Sequence, residues 1–84
     1  MKKLTGAEMI TKMRKQAVEQ MNESLFFGGK YQGFEYAEQE LEFVDEPIKH
    51  LKKQLEKISD RNDEYWKGFK WALEASIKSL ENLG

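Results

Sequence analysis

The sequence predicts an all-α fold of three helices. Two observations support this prediction: apolar residues recur at intervals of three and four along most of the chain of 84 residues, and no segment alternates apolar and polar residues as a half-buried strand does. The length allows one domain, residues 1–84, and a chain this short buries only about 60–65% of the surface that its unfolded form exposes. Such a chain is only marginally stable as a monomer.

The first helix is expected over residues 6–26. It opens with the capping box Thr5-Gly6-Ala7-Glu8, in which the Thr5 hydroxyl accepts the Glu8 amide and the Glu8 carboxylate accepts the Thr5 amide. Gly28 and Gly29 supply the left-handed position that ends a helix without steric cost. Between these two signals the apolar residues lie at helical spacing: Ile10, Met13, Ala17, Met21 and Leu25.

The second helix is expected over residues 30–58, with a kink at Pro47. Its apolar positions are spaced three and four apart for about four heptads, which is typical of a coiled coil. Because a proline inside a helix removes a hydrogen bond and clashes with the preceding turn, a break at Pro47, with Asp45 capping a new helix, stays open as an alternative. The apolar seam consists of Phe34, Ala37, Leu41, Val44, Ile48, Leu51, Leu55 and Ile58.

The third helix is expected over residues 63–82, after a polar turn at 59–63. We expect helices two and three to form a hairpin, with helix one beside it and coiled-coil-like packing. A helix of 29 residues would span roughly 43 Å, which exceeds the needs of a small monomer and predicts a homodimer. The residues expected in the core or in self-association are Phe34, Leu41, Val44, Ile48, Leu51, Leu55, Trp66, Phe69 and Leu73.

A short repeat links the second and third helices. The stretch from Gly33 to Ala37, Gly-Phe-Glu-Tyr-Ala, recurs from Gly68 to Ala72 as Gly-Phe-Lys-Trp-Ala. One interpretation is an old duplication in which each glycine lets a neighbouring backbone approach. The other is convergence on a pattern that close helix contacts favour.

The composition argues against an enzyme. Without cysteine the chain has no thiolate nucleophile and no sulfur-ligated zinc site, and its one histidine, His50, lies in a lysine-rich stretch typical of a solvated surface. No nucleophile elbow, phosphate-binding loop or zinc-protease motif occurs. We therefore expect no catalytic residue, no metal and no cofactor. No apolar run exceeds three residues, so we also expect a soluble cytoplasmic protein without a membrane partner.

The charges are balanced overall but separated along the chain. The 14 basic and 15 acidic residues give a net charge of −1, yet residues 35–46 hold six acids and no base. Tyr36 and Phe43 fall on a row more than 100° from the apolar seam, and Trp71 points away from its own stripe. They either form a contact surface or are buried because helix two is central. The predicted partner-binding residues are Glu35, Tyr36, Glu38, Glu42, Phe43, Asp45, Glu46 and Trp71.

The stretches Tyr31-Gln-Gly-Phe-Glu-Tyr-Ala and Tyr65-Trp-Lys-Gly-Phe-Lys-Trp-Ala-Leu-Glu resemble a Tyr-x-x-Gly-Phe-x-x-Ala-Leu pattern of small helical accessory proteins of phages and prophages. The resemblance covers about half of the chain. It implies a non-enzymatic inhibitor that binds and occludes a larger host protein, such as a CRISPR effector or another defence nuclease, in the cytoplasm of a host cell. It supplies no functional residues.

Two alternatives from other classes stay open. One is a small-ligand-binding oligomer that uses aromatic and lysine side chains. The other is a helical dimer that binds nucleic acid, although the near-zero net charge makes nucleic acid the less favoured partner. Its candidate contacts are Lys2, Lys3, Lys12, Arg14, Lys15, Lys49, Lys52, Lys53 and Lys57.

Overall fold

The computed structural model describes residues 4–83, which form four α-helices and no strand. The all-α prediction is confirmed, whereas the prediction of three helices is wrong. The last helix, expected over 63–82, agrees with the structure to within one residue at each end. The helices are α1, Gly6–Val18; α2, Leu25–Phe43; α3, Pro47–Lys57; and α4, Glu64–Leu83.

The first helix is shorter than predicted because a turn replaces its last two turns. The capping box is present, with the Glu8 amide 3.1 Å from Thr5 Oγ1 and the Thr5 amide 3.3 Å from Glu8 Oε1. The chain leaves the helix after Val18, and the Ser24 hydroxyl then accepts the Phe27 amide at 3.3 Å to start α2. Short polar side chains such as serine hydrogen-bond to nearby backbone groups, and they therefore favour turns and helix starts over helix interiors. Gly28 and Gly29 therefore lie inside α2 and do not end a helix.

The long kinked helix over 30–58 is also wrong, because the chain breaks between Phe43 and Pro47. Val44 and Glu46 both leave helical geometry. Val44 has φ −124° and ψ 134°, and Glu46 has φ −120° and ψ 73°. Pro47 is the first residue of α3, where its missing amide hydrogen costs nothing and where its ring disfavours helical geometry at the preceding residue. The alternative of a break is therefore correct, although the N-cap is Glu46 without a side-chain hydrogen bond, and not Asp45.

Helices α2 and α4 run parallel and form the most extensive contact in the molecule. Gly29 faces Tyr65 near the start of both helices, and Gly33 faces Phe69 and Ala72 one turn further on. The predicted hairpin of neighbouring antiparallel helices is thus replaced by a central parallel pair, and the chain returns between them through α3. The longest dimension is 36 Å, and the 43 Å helix from which a homodimer was predicted does not exist.

Helices α1 and α3 each pack antiparallel against this pair, and they do not contact each other within the described residues. Gly6 of α1 lies against Ser79 and Leu80 near the end of α4. On the other flank, Lys52 Nζ lies 2.9 Å from Glu81 Oε2, and Lys70 Nζ donates to the Ser59 carbonyl at 3.1 Å.

Small residues allow the α2–α4 backbones to approach closely. A Cβ added at Gly29 would overlap the carbonyl oxygen of Tyr65, and one added at Gly68 would overlap the carbonyl oxygen of Phe26. A Cβ at Gly33 would come within 2.6 Å of the Ala72 methyl group. Both copies of the Gly-aromatic-x-aromatic-Ala repeat therefore lie at the same helix contact, and this packing accounts for both glycines whichever way the repeat arose.

The core lies between the four helices. Ile10, Phe34, Leu51 and Leu73 are fully buried, and Ser76 is buried among them with its hydroxyl donating to the Ala72 carbonyl at 2.7 Å. Of the residues expected in the core or in self-association, Phe34, Leu51, Phe69 and Leu73 are buried. Leu41, Val44, Ile48, Leu55 and Trp66 are partly exposed. The apolar spacing stays in phase across Pro47 because α2 and α3 both bury that side against α4.

Candidate protein-binding surface

The aromatic residues predicted to bind a partner do not form one surface. Trp71 is 45% exposed, but its ring contacts Phe34 edge-on at 6.1 Å and lies 4.1 Å from Lys30 Nζ. Phe43 is 79% exposed and has no aromatic neighbour among the described contacts. Nine residues separate Phe34 from Phe43, which is about 180° around α2. Trp71 and Phe43 therefore lie on different sides of the protein.

Tyr36 belongs partly to the core. It is half-buried, and its ring lies 5.8 Å from the ring of Phe69 on α4. Burial, together with a hydrogen bond to Glu40 and the charge of that carboxylate, raises the pKa of Tyr36 to about 12. The phenol is thus held in its neutral form, and Tyr36 serves mainly to join α2 to α4.

Glu40 makes a contact with α3 that the sequence did not predict. Its side chain is only 14% exposed, and its Oε2 atom is buried without a hydrogen bond of good geometry, although His50 Nδ1 lies 2.9 Å away. His50, interpreted from the sequence as a solvated residue, is 55% exposed but bridges α3 to α2 through this contact. No sequence signal identifies the pair, since the two residues lie on either side of a helix break whose angle the sequence does not reveal.

Glu38 is occupied by the first helix. It forms an ion pair with Arg14 and accepts a hydrogen bond from the Thr11 hydroxyl at 3.0 Å. These contacts hold α1 against α2, so Glu38 is not free for a partner. Arg14 is likewise removed from the set of candidate nucleic-acid contacts.

Three of the remaining predicted acids lie close to Phe43 in the sequence. Glu42, Asp45 and Glu46 are exposed, and Glu35 is half-buried about two turns before Phe43 on α2. Glu46 is 3.8 Å from Lys49 Nζ in a solvated pair, which contributes little to stability. We call Glu42, Phe43 and Asp45 the Phe43 surface, an exposed ring with a carboxylate on each side of it in the chain.

A cleft opens beside the break between α2 and α3. It has a volume of about 700 Å³, and its apolar lining includes Leu41, Pro47, Ile48 and Leu80. Lys52 on its rim is paired with Glu81 at 2.9 Å. The cleft offers apolar surface, and its lining also includes Asp45, Glu46 and Lys49.

The candidate nucleic-acid contacts are divided between two helices. Lys49, Lys52, Lys53 and Lys57 are exposed on α3, and Lys12 and Lys15 are exposed on α1. Because α1 and α3 do not contact each other, the two groups form separate patches. Lys2 and Lys3 lie outside the described residues.

Among residues 4–83, no group of three or more histidine and acidic side chains could hold a metal ion. No helix in this range is long and apolar enough to span a bilayer. Comparisons with protein-family models, curated protein sequences and solved structures found no match for this chain.

Proposed function

We propose that this protein acts without catalysis, by binding a larger protein through the Phe43 surface. The observation that supports this proposal is the 79% exposure of Phe43 in a chain that buries Phe34 and Phe69. Leaving a phenylalanine side chain in water forgoes about 2 kcal/mol of burial energy, and aromatic rings buried at the centre of an interface carry much of its affinity.

The charge around Phe43 indicates the chemistry of the partner. Residues 35–46 contain no basic residue, and Glu42 and Asp45 are both exposed. A complementary partner presents lysine or arginine, whose cationic groups pair with carboxylates and lie favourably over aromatic rings. Surfaces that hold nucleic acid are basic for the same electrostatic reason.

These properties suit an inhibitor that occludes the nucleic-acid-binding surface of a host protein, such as a defence nuclease, in the cytoplasm of a host cell. The resemblance of residues 31–37 and 65–74 to small phage and prophage proteins supports the same class of action.

The test is affinity capture from a host lysate, identification of the captured protein, and calorimetry of the purified pair. Phe43→Ala is expected to weaken binding by at least about 30-fold, as for a central aromatic contact. Its circular dichroism and unfolding midpoint should stay those of the parent, since the ring is exposed. Val18→Ala, at another exposed apolar residue, is the matched control and should bind normally. Unchanged affinity in Phe43→Ala would refute the proposal.

Nucleic-acid binding is the second candidate, and one observation favours it. Lys49, Lys53 and Lys57 are exposed and lie four residues apart, so they follow one face of α3. If this face binds a phosphate backbone, DNA or RNA affinity should fall steeply with salt and should be lost in the triple lysine-to-glutamine variant. Absence of binding to both nucleic acids at low salt would exclude this function.

A further inference from the structure

The outward side of α2 is a continuous, uncharged helix face. Leu25, Gln32, Gln39 and Phe43 lie within about 40° of one another around the helix axis. All four are exposed, and Leu25 and Phe43 are 67% and 79% accessible. We call these four residues the outer face of α2. It extends over about 27 Å, which is five helical turns.

The other sides of α2 are already covered. Gly29 and Gly33 pack on α4, and Glu38 is held by Arg14 of α1. Glu40 is directed to His50 of α3. The outer face is therefore the one side of α2 on which the described residues place no other helix.

The more accessible carboxylates lie along one edge of this face. Glu35 and Glu42 are seven residues apart, so they fall on the same line along the helix. No basic residue lies between positions 35 and 46 to neutralise them. On the opposite edge the half-buried ring of Tyr36 packs on Phe69, and the Glu40 carboxylate one turn further on is only 14% exposed and lies 2.9 Å from His50 Nδ1.

We propose that the outer face of α2 binds a basic amphipathic helix of the partner protein, an inference that rests on the proposed function. Leu25, Gln32 and Gln39 repeat every seven residues, as do Glu35 and Glu42, and a second α-helix matches this period every two turns. Its apolar residues would lie on the outer face, while lysine or arginine residues seven apart would meet the two glutamates. An extended peptide has a period of two and requires a sheet edge, which residues 4–83 do not offer.

The test uses a yeast-displayed library of 20-residue helical peptides, randomised on one face and selected against the full-length protein. The selected peptides should carry basic residues along one edge of an apolar stripe. Gln32→Arg should weaken their binding by at least about tenfold, because it places a cation in the middle of the contact. Gln16→Arg, at an exposed position of α1, is the matched control and should have no effect.

Gln32 lies about 16 Å along the helix from Phe43, so the two sites report separately. Binding that is lost in Phe43→Ala but kept in Gln32→Arg would overturn the helix-docking inference and leave the Phe43 surface standing. Binding that is insensitive to both changes would overturn both. Failure to select any helical binder, or selection of acidic ones, would also overturn the inference.

Discussion

Replacing Gly29 by alanine tests whether the close α2–α4 contact limits the stability of the fold. The added Cβ would overlap the carbonyl oxygen of Tyr65, a backbone atom that cannot rotate away as a side chain can. The two helices must separate, and we take about 3 kcal/mol for such overpacking. The higher helix propensity of alanine offsets about 1 kcal/mol of this cost. The free energy of unfolding should therefore fall by about 2 kcal/mol.

The neighbouring glycine provides the control. A Cβ at Gly28 meets only the Met21 carbonyl oxygen, at 3.3 Å, and Met21 lies in the turn before α2, where it can yield by a few tenths of an ångström. Gly28→Ala should thus retain most of the gain of about 1 kcal/mol. Urea unfolding followed by circular dichroism gives both values. If the two variants have the same stability to within about 0.5 kcal/mol, the steric argument is refuted.

Two further predictions concern ionisable contacts. The folded-state pKa of Tyr36, about 12, exceeds the ordinary tyrosine value of about 10, so its contribution to stability is complete below pH 10 and is lost as the pH rises through 12. When urea unfolding is repeated at increasing pH, the Tyr36→Phe variant should not show this loss of stability. An equal loss in both proteins would contradict its assignment to Tyr36. Glu38→Gln removes the ion pair with Arg14 and should cost about 1 kcal/mol at low salt and less in 1 M NaCl; a cost that does not depend on salt would mean that the charge is unimportant.

The sequence predicted those elements whose signals are local. Helix α4 has a polar turn before it and an uninterrupted stripe from Trp66 to Leu80, and its bounds were predicted to within one residue. The capping box at Thr5 likewise depends only on neighbours in the chain, and it forms as predicted.

The errors occurred where one residue type serves two purposes. Glycine can end a helix, or it can admit a second backbone, and at Gly29 the second role depends on Tyr65, which is distant in the sequence. Apolar spacing likewise cannot distinguish one helix from two that bury the same side against α4. The sequence alone therefore favours a kink over a break at Pro47, although proline is also common at the first position of a helix.

The sequence shows which residues belong to the candidate site, but it does not show which of them are already held by contacts with other helices. The acidic stretch and the row of Tyr36 and Phe43 are visible in the sequence. Which of its members are already engaged depends on partners from other helices, such as Arg14 for Glu38 and Phe69 for Tyr36. Only the structure separates Phe43, which is exposed, from Tyr36, which joins two helices.

The parallel packing of α2 on α4 also has a kinetic consequence. Its closest contacts join distant residues, Gly29 with Tyr65 and Gly33 with Ala72, whereas α1–α2 and α3–α4 are neighbours linked by short turns. Local pairs close at lower entropic cost, so we expect the glycine contact to form late in folding. Gly33→Ala should then accelerate unfolding more than it slows refolding in stopped-flow measurements, and the opposite result would place this contact in the folding nucleus. The small residues at the centre of the protein would thus control how long the native state survives more than how fast it forms.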